Sequence, residues 1–453
     1  MSLLGLSIAY IRARALNAAL NLALLALGVA TIVLLLLFST QLGERLTRDA
    51  RGLDLVIGAK GSPLQLILSS IYHVDFPTGN VPLEEVARWR QHPLVEAVIP
   101  IALGDSVAGF RIVGTEHAYA EHYGGELAQG RLWEAPFEAT IGSAVAAATG
   151  LGVDDTFVGS HGLAPGGPTH ADEVYTVVGV LARTASVLDR LVLTPIDSVW
   201  LVHGIKPPHD EAADSDPEHG EAPVAPAGSA EAPARGEDEP PDIQTEPDEH
   251  DHELEPEEGG EPGHGFDRPA PRLEVTSLLL RYNSPLGAVQ LPRLVNQQSA
   301  LQAASPAFET ARLLSLVGIG IDTLRGFGLL LIGTAGLSVF IALSNAMQER
   351  RYDLALMRTL GASRRQLFTQ PLLEGLILAG AGALLGILLG HLVAESAGRL
   401  VPEARNMGLT GLTWLREETY VVALALGVGL LAALLPAIQA YRTDIAAVLA
   451  SRA

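Results

Sequence analysis

The 453-residue sequence predicts an α-helical membrane domain with four transmembrane helices, one plus three, and a large mixed α/β extracytoplasmic domain interrupted by a disordered acidic insert. Three observations predict it. Four apolar stretches each supply the roughly 20 helical residues that a hydrocarbon core requires. Arginines gather at alternate ends of those stretches. The acidity is confined to one place: the formal net charge is -21, and Lys206–Arg268 alone holds 21 Asp/Glu against 3 Lys/Arg.

Residues 1–40 hold a short N-terminus and the first span, Leu16–Phe38. Its apolar run, Leu22–Phe38, exceeds the roughly 7–15 residues of a secretory h-region, and Ser39–Glu44 offers no Ala-x-Ala cleavage site. The segment therefore reads as a retained anchor. The other spans, Leu324–Leu343, Leu372–Leu392 and Tyr420–Gln439, lie in a membrane domain over 324–453.

Arg12 and Arg14 precede span one. Arg350, Arg351, Arg358, Arg364 and Arg365 fill the loop between spans two and three, and Arg442 and Arg452 follow span four. If the spans alternate, all three groups share one side, and the positive-inside rule makes it cytoplasmic. Both termini then face the cytoplasm and residues 41–323 lie outside it. Glycines in spans two to four, among them Gly328, Gly375, Gly382, Gly386 and Gly390, allow close helix packing. Asp322 and Arg325 are spaced to pair on one helix face. Glu374 sits near a helix N-terminus, which favours an anion.

The extracytoplasmic domain divides into 41–205 and 272–323. Glu84–Gln91 reads as an amphipathic helix and Ser143–Gly150 as a small-residue helix. Val95–Ile101, Phe110–Gly114 and Val174–Leu181 are apolar runs bounded by Gly or Pro and read as strands. Leu191–Thr194 and Ser198–His203 read as two further strands, Leu273–Tyr282 as another, and Pro285–Ala303 as a helix. Strand–helix patterning resumes after 271, which predicts one folded domain with an insertion. The insert, 206–271, is dense in Pro, Glu, Asp, Ala and Gly and nearly devoid of aromatics. Such a composition cannot bury enough apolar surface to offset ordering entropy.

The most informative stretch is the loop Gln348–Leu367. Tyr352–Leu360 reads as a short amphipathic helix with Leu354, Met357 and Leu360 on one side. Gly361 can supply a left-handed cap, and Ser363 can cap the next helix. Such a helix lying at the cytoplasmic face suits protein docking, and equally suits a basic loop that only sets topology. The run Glu-Arg-Arg-x-Asp-Leu-Ala-x-x-Arg-x-Leu-Gly-Ala-Ser-Arg, at 349–364, resembles the cytoplasmic loop of FtsX-like and MacB-type ABC transporter permeases. Ile112–Thr115, Gly130–Trp133 and Val177–Leu181 are similar to that family's periplasmic domain.

The resemblance implies the membrane subunit of an ABC complex in the bacterial inner membrane, homodimeric and working on a periplasmic cargo such as a lipoprotein, peptide or metal-related ligand. It implies that Glu349, Arg350, Arg351, Asp353, Leu354, Arg358, Gly361, Ala362, Ser363 and Arg364 contact an ABC ATPase subunit. A periplasmic binding protein or lipoprotein is a further implied partner. A regulator that activates a periplasmic protein without transport is the alternative. The only lysines are Lys60 and Lys206, and neither lies in Gly-x-x-x-x-Gly-Lys-Ser/Thr. ATP is therefore expected on a partner, with no cofactor on this chain.

His209, His219, His250, His252 and His264 lie among the insert's carboxylates, a donor set that suits weak Zn2+ capture. A solvated tether with incidental histidines is the plainer reading. His73, Asp75, His161 and His170 form a weaker candidate group. Gly58–Asn80 and Gly159–Leu163 are similar to permeases encoded with zinc-responsive genes. The absence of cysteine excludes disulfides and thiolate sites. The lack of a basic stripe argues against nucleic acid, and no catalytic motif is present.

Overall fold

The computed structural model describes residues 3–160, 162, 169–205, 273–401, 404 and 407–442. The acidic insert with its five histidines therefore lies outside the described residues. The helices are α1 (Leu3–Ala13), α2 (Ala15–Asp49), α3 (Pro63–Ser70), α4 (Glu84–Arg90), α5 (His117–His122), α6 (Ser143–Thr149), α7 (Ile196–Val202), α8 (Pro285–Gln298), α9 (Pro306–Glu349), α10 (Arg351–Thr359), α11 (Arg364–Leu400) and α12 (Glu418–Tyr441). The strands are β1 (Leu55–Ala59), β2 (Val81–Pro82), β3 (Val95–Val107), β4 (Phe110–Thr115), β5 (Leu127–Gly130), β6 (Glu138–Ile141), β7 (Thr156–Ser160), β8 (Thr169–Leu181), β9 (Leu191–Thr194), β10 (Glu274–Val275), β11 (Ser277–Tyr282) and β12 (Leu301–Ala304).

Helices α2, α9, α11 and α12 are long and apolar enough to cross a membrane. The first three run well beyond the apolar stretches read from sequence. Hydropathy marks only the part in hydrocarbon, whereas backbone hydrogen bonding carries the helix onward.

Helix α2 packs between α9 and α11, and glycine sets the approach. A Cβ at Gly382, Gly386 or Gly390 would lie within 3.0 Å of Leu25, Val29 or Val33 respectively. Gly28 faces Ile332 and Gly328 faces Ile32, each at under 3.0 Å from a notional Cβ. Gly375 and Gly429 bring α11 and α12 together in the same way. Gly326, Gly333 and Gly427 meet nothing within 4 Å, so only some of the glycines serve helix contact.

The part between the first two spans is a mixed α/β unit built on one large sheet, in the order β12-β1-β11-β3-β4-β9-β6-β8-β5, with β7 pairing β3 and β8, and β10 and β2 form a separate two-stranded sheet. β4–β9 and β6–β8 are parallel, and the other pairs are antiparallel. Strand β11 lies between β1 and β3, with Leu279 opposite both Val56 and Ile99. Strands from before and after the insert therefore alternate in one sheet.

The run Leu278-Leu279-Leu280 is apolar throughout because both sheet faces are covered. Leu279 joins Val56, Ile67, Tyr119 and Leu188 on one side. Leu278 and Leu280 join Leu55, Ile57, Trp89 and Leu291 on the other. Each such buried Leu or Ile contributes about 2 kcal/mol of apolar transfer free energy.

Three expectations for this part need correction. Leu273–Tyr282 is not one strand: it breaks at Thr276, whose hydroxyl accepts the Leu103 N–H, so β10 pairs with β2 while β11 joins the main sheet. Ser198–His203 is not a strand: Ser198–Val202 belongs to α7, which follows Pro195, and His203 is its C-cap residue. Trp200 is buried and its indole N–H donates to the Glu274 carbonyl at 2.7 Å, a contact this helix provides. The helix from Pro285 stops at Gln298. Ser299 is extended, and Leu301–Ala304 forms β12 against β1. The Asn296 side chain spans this break, accepting the Ala303 N–H at 2.8 Å.

The stalk ends of α2 and α9 enter the same core. The Tyr72 hydroxyl bridges the Leu46 carbonyl (3.1 Å) and the Thr310 hydroxyl (2.6 Å), and the Tyr123 hydroxyl donates to the Asp49 carbonyl at 2.7 Å. On the membrane side of that core, Asp322 and Arg325 pair at 3.0 Å and Arg325 also reaches Ser39.

Candidate functional site

At the opposite end of the membrane helices from the sheet, α9 gives way to α10 at Arg350. Its side chain is buried, with its guanidinium 3.5 Å over the Tyr10 ring of α1 and 3.2 Å from Glu374 of α11. Gln370 donates to the same Glu374 oxygen at 3.4 Å. Buried charge of this kind persists only when paired. The pair ties the loop to α1 and α11 at one point, and the neighbouring Glu349 adds an ion pair to Arg14.

Helix α10 is held by its inner face. Leu354 is buried in a cluster with Ala346, Met347, Leu367 and Ala440, against which Met357 and Ala362 pack, and Ala355 is buried as well. The helix ends at Thr359 because Gly361 turns the chain with φ +104. Its N–H and that of Ala362 close onto the Arg358 and Met357 carbonyls. Ser363 then forms a reciprocal capping box with Gln366 that starts α11.

Leu360 does not share the buried side with Leu354 and Met357: it is 80% exposed. It continues an outward stripe with Tyr352 and Leu356, four residues apart along the helix. This stripe was missed in the sequence, although its i, i+4, i+8 spacing is legible there. Of the residues singled out, Arg350 and Leu354 face inward. Arg358 and Ala362 are half-buried. Glu349, Arg351, Asp353, Gly361, Ser363 and Arg364 are exposed around the stripe. The arrangement is a clamped helix presenting an apolar ridge within a charged rim.

Of the second candidate group, the structure describes the side chains of His73 and Asp75. The His73 imidazole Nε2 lies 2.9 Å from the Tyr119 hydroxyl, and its Nδ1 is buried without a partner. Burial, with the Arg111 and Arg190 guanidiniums nearby, pushes its pKa down to about 3. His161 and the side chain of His170 lie outside the described residues. Among the described residues no three His, Asp or Glu side chains converge as a metal site.

Residues 325–445 match the FtsX-like permease C-terminal family, and residues 18–214 match the MacB-like periplasmic core domain family. Among characterised proteins, the macrolide export ATP-binding/permease protein MacB of Hyphomonas neptunium is 31% identical over 137 residues. That match covers 29% of this chain and 20% of that protein, so the chain spans about a fifth of its relative's length. Among solved structures, the periplasmic region of MacB from Actinobacillus actinomycetemcomitans aligns over 59% of this chain and 95% of that one, at 9% identity and a TM-score of 0.31. The extracellular domain of the noncanonic ABC-type transporter YknZ from Gram-positive bacteria aligns over 55% and 98%, at 10% identity and a TM-score of 0.28.

Proposed function

We propose that this chain, which joins a MacB-like periplasmic core to an FtsX-like permease C-terminal domain, is the membrane subunit of an ABC assembly that couples ATP hydrolysis to work on a periplasmic cargo. The observation that carries this reading is the outward ridge Tyr352–Leu356–Leu360 on a helix locked by its other face. An exposed apolar ridge with a charged rim is what a partner surface buries.

The ATPase acts from outside these 453 residues, because neither lysine stands in a phosphate-binding loop. The ridge and its arginines face the cytoplasm of the inner membrane, and two copies of the chain work with two ATPases. Force on α10 passes through Arg350 into α9, which is continuous to Pro306 and leads directly from β12. The cargo is a lipoprotein, peptide or metal-related ligand.

Co-purification with the cognate ATP-binding subunit tests this. Leu356→Asp, Leu360→Asp, Arg358→Glu and Gly361→Pro are expected to lose the ATPase while the chain stays in the membrane. Retention of the ATPase by all four variants sinks the assignment.

A further inference from the structure

A cavity of about 540 Å³ opens where the stalk end of α2, the extracytoplasmic sheet and the α11–α12 connection meet. Arg45 and Arg48 enter it from α2, and Arg183 and Arg190 from the chain after β8. Ala147 of α6 and Met407 form apolar wall. Two carboxylates also line it, Glu44 and Asp189. Glu44 points to solvent. Asp189 is occupied by the Thr184 and Ala185 N–H groups and the Thr184 hydroxyl, all within 2.9 Å. Behind the wall, Asp49 lies 3.7 Å from Arg45. The lining thus carries four guanidiniums against two carboxylates.

Arg48 and Arg190 are not exhausted by internal bonds. Arg48 gives one N–H to the Ala185 carbonyl at 2.9 Å, and a guanidinium has five. The Arg190 Nε is buried with no acceptor. Burial, and then the like charge of Arg45, lower the Arg190 pKa to about 10, a repulsion that an anion between them would relieve. The place is also specific. Gln41 pairs with Thr410 of the α11–α12 connection through two hydrogen bonds of 2.8 and 2.9 Å, closing the floor. Arg45 and Arg48 follow the last apolar residue of the span, Phe38, by roughly 10 and 15 Å of helix. That is the depth of lipid headgroups and just beyond.

We infer that this cavity binds a phosphate group, presented by a lipid headgroup or by a soluble phosphate ester. Planar guanidiniums match phosphate oxygens two at a time, and four of them around one space exceed what a lone carboxylate needs. The inference does not depend on ATPase docking at α10.

The test uses the full chain in detergent, with binding read by native mass spectrometry and by the thermal midpoint. The probes are phosphatidylglycerol, the matched diacylglycerol without phosphate, and glycerol 3-phosphate. Phosphatidylglycerol is expected to be retained and diacylglycerol not. Arg183→Glu, at an exposed position, and the double variant Arg45→Gln/Arg190→Gln should weaken phosphatidylglycerol more than tenfold. Ala147→Trp should do so by filling the space without changing charge, and it guards against misfolding of the double variant. Displacement of the lipid by glycerol 3-phosphate assigns a soluble ester, and failure to displace assigns the headgroup. Equal retention of the two lipids with no binding of glycerol 3-phosphate, or affinities within threefold of wild type in Arg183→Glu and Ala147→Trp, overturns the inference.

Discussion

Glu374 is buried, with Arg350 3.2 Å away and Gln370 supplying a second contact. Glu374→Ala would leave the guanidinium buried with only the Tyr10 ring. Removing one member of such a pair costs about 3 kcal/mol, read as a lower unfolding midpoint in mild detergent. A loss below about 1 kcal/mol would mean that water already screens the pair. Sequence placed Glu374 near a helix start, but α11 begins ten residues earlier at Arg364, because backbone hydrogen bonding extends the helix beyond the apolar stretch, and its partner, 24 residues away, could not be read from local spacing. His73 gives a pH signature. Its folded pKa of about 3 lies below the unfolded value near 6.5. The unfolded chain therefore binds a proton first as pH falls. This contribution is complete above about pH 6.5 and is lost progressively down to about 3, at up to roughly 1.4 kcal/mol per pH unit. His73→Phe should flatten that part of the stability curve. An unchanged slope between pH 7 and 5 would assign the effect to other groups.

Among the elements, the contact of α2 with α11 is decided by where side chains are missing. A Cβ at Gly386 would sit 2.7 Å from the Ala26 carbonyl oxygen and 2.6 Å from Val29. Backbone cannot yield as a flexible side chain can. Gly386→Leu is expected to cost about 3 kcal/mol by overpacking, whereas Gly333→Leu, with nothing within 4 Å, should leave detergent stability unchanged. Equal effects at the two sites would refute this packing account. Composition showed that glycines were plentiful but not which of them face a neighbour, because that depends on rotation about each helix axis. The same limit explains Ser198–His203. Six residues of mixed polarity fit either period, and burial of Trp200 beside β10 settled them as helix. Ser363 and Gly361 were legible because capping is chemistry between residues three positions apart.

At the scale of the molecule, α9 rises about 66 Å at 1.5 Å per residue, roughly twice the hydrocarbon thickness. It carries no proline beyond its first turn. Tilting such a rod by about 5° shifts its far end by some 6 Å relative to the near one, enough to move β12 and the strands paired with it. The span count and the two families were legible from hydropathy and motif. The sheet order was not, since β1, β3 and β11 are adjacent across more than 170 residues of chain, and no local pattern encodes such pairing. That order makes the peptide link through 206–271 dispensable for holding the two halves together. β11 is hydrogen-bonded on both edges to strands from the first half, and α2 is wedged between helices of the second. Two polypeptides, 1–235 and 236–453, co-expressed without any covalent connection, should purify as one complex, reconstituted by strand complementation. Separation of the halves in mild detergent would show that the tether, and not the interdigitated sheet, keeps them in register.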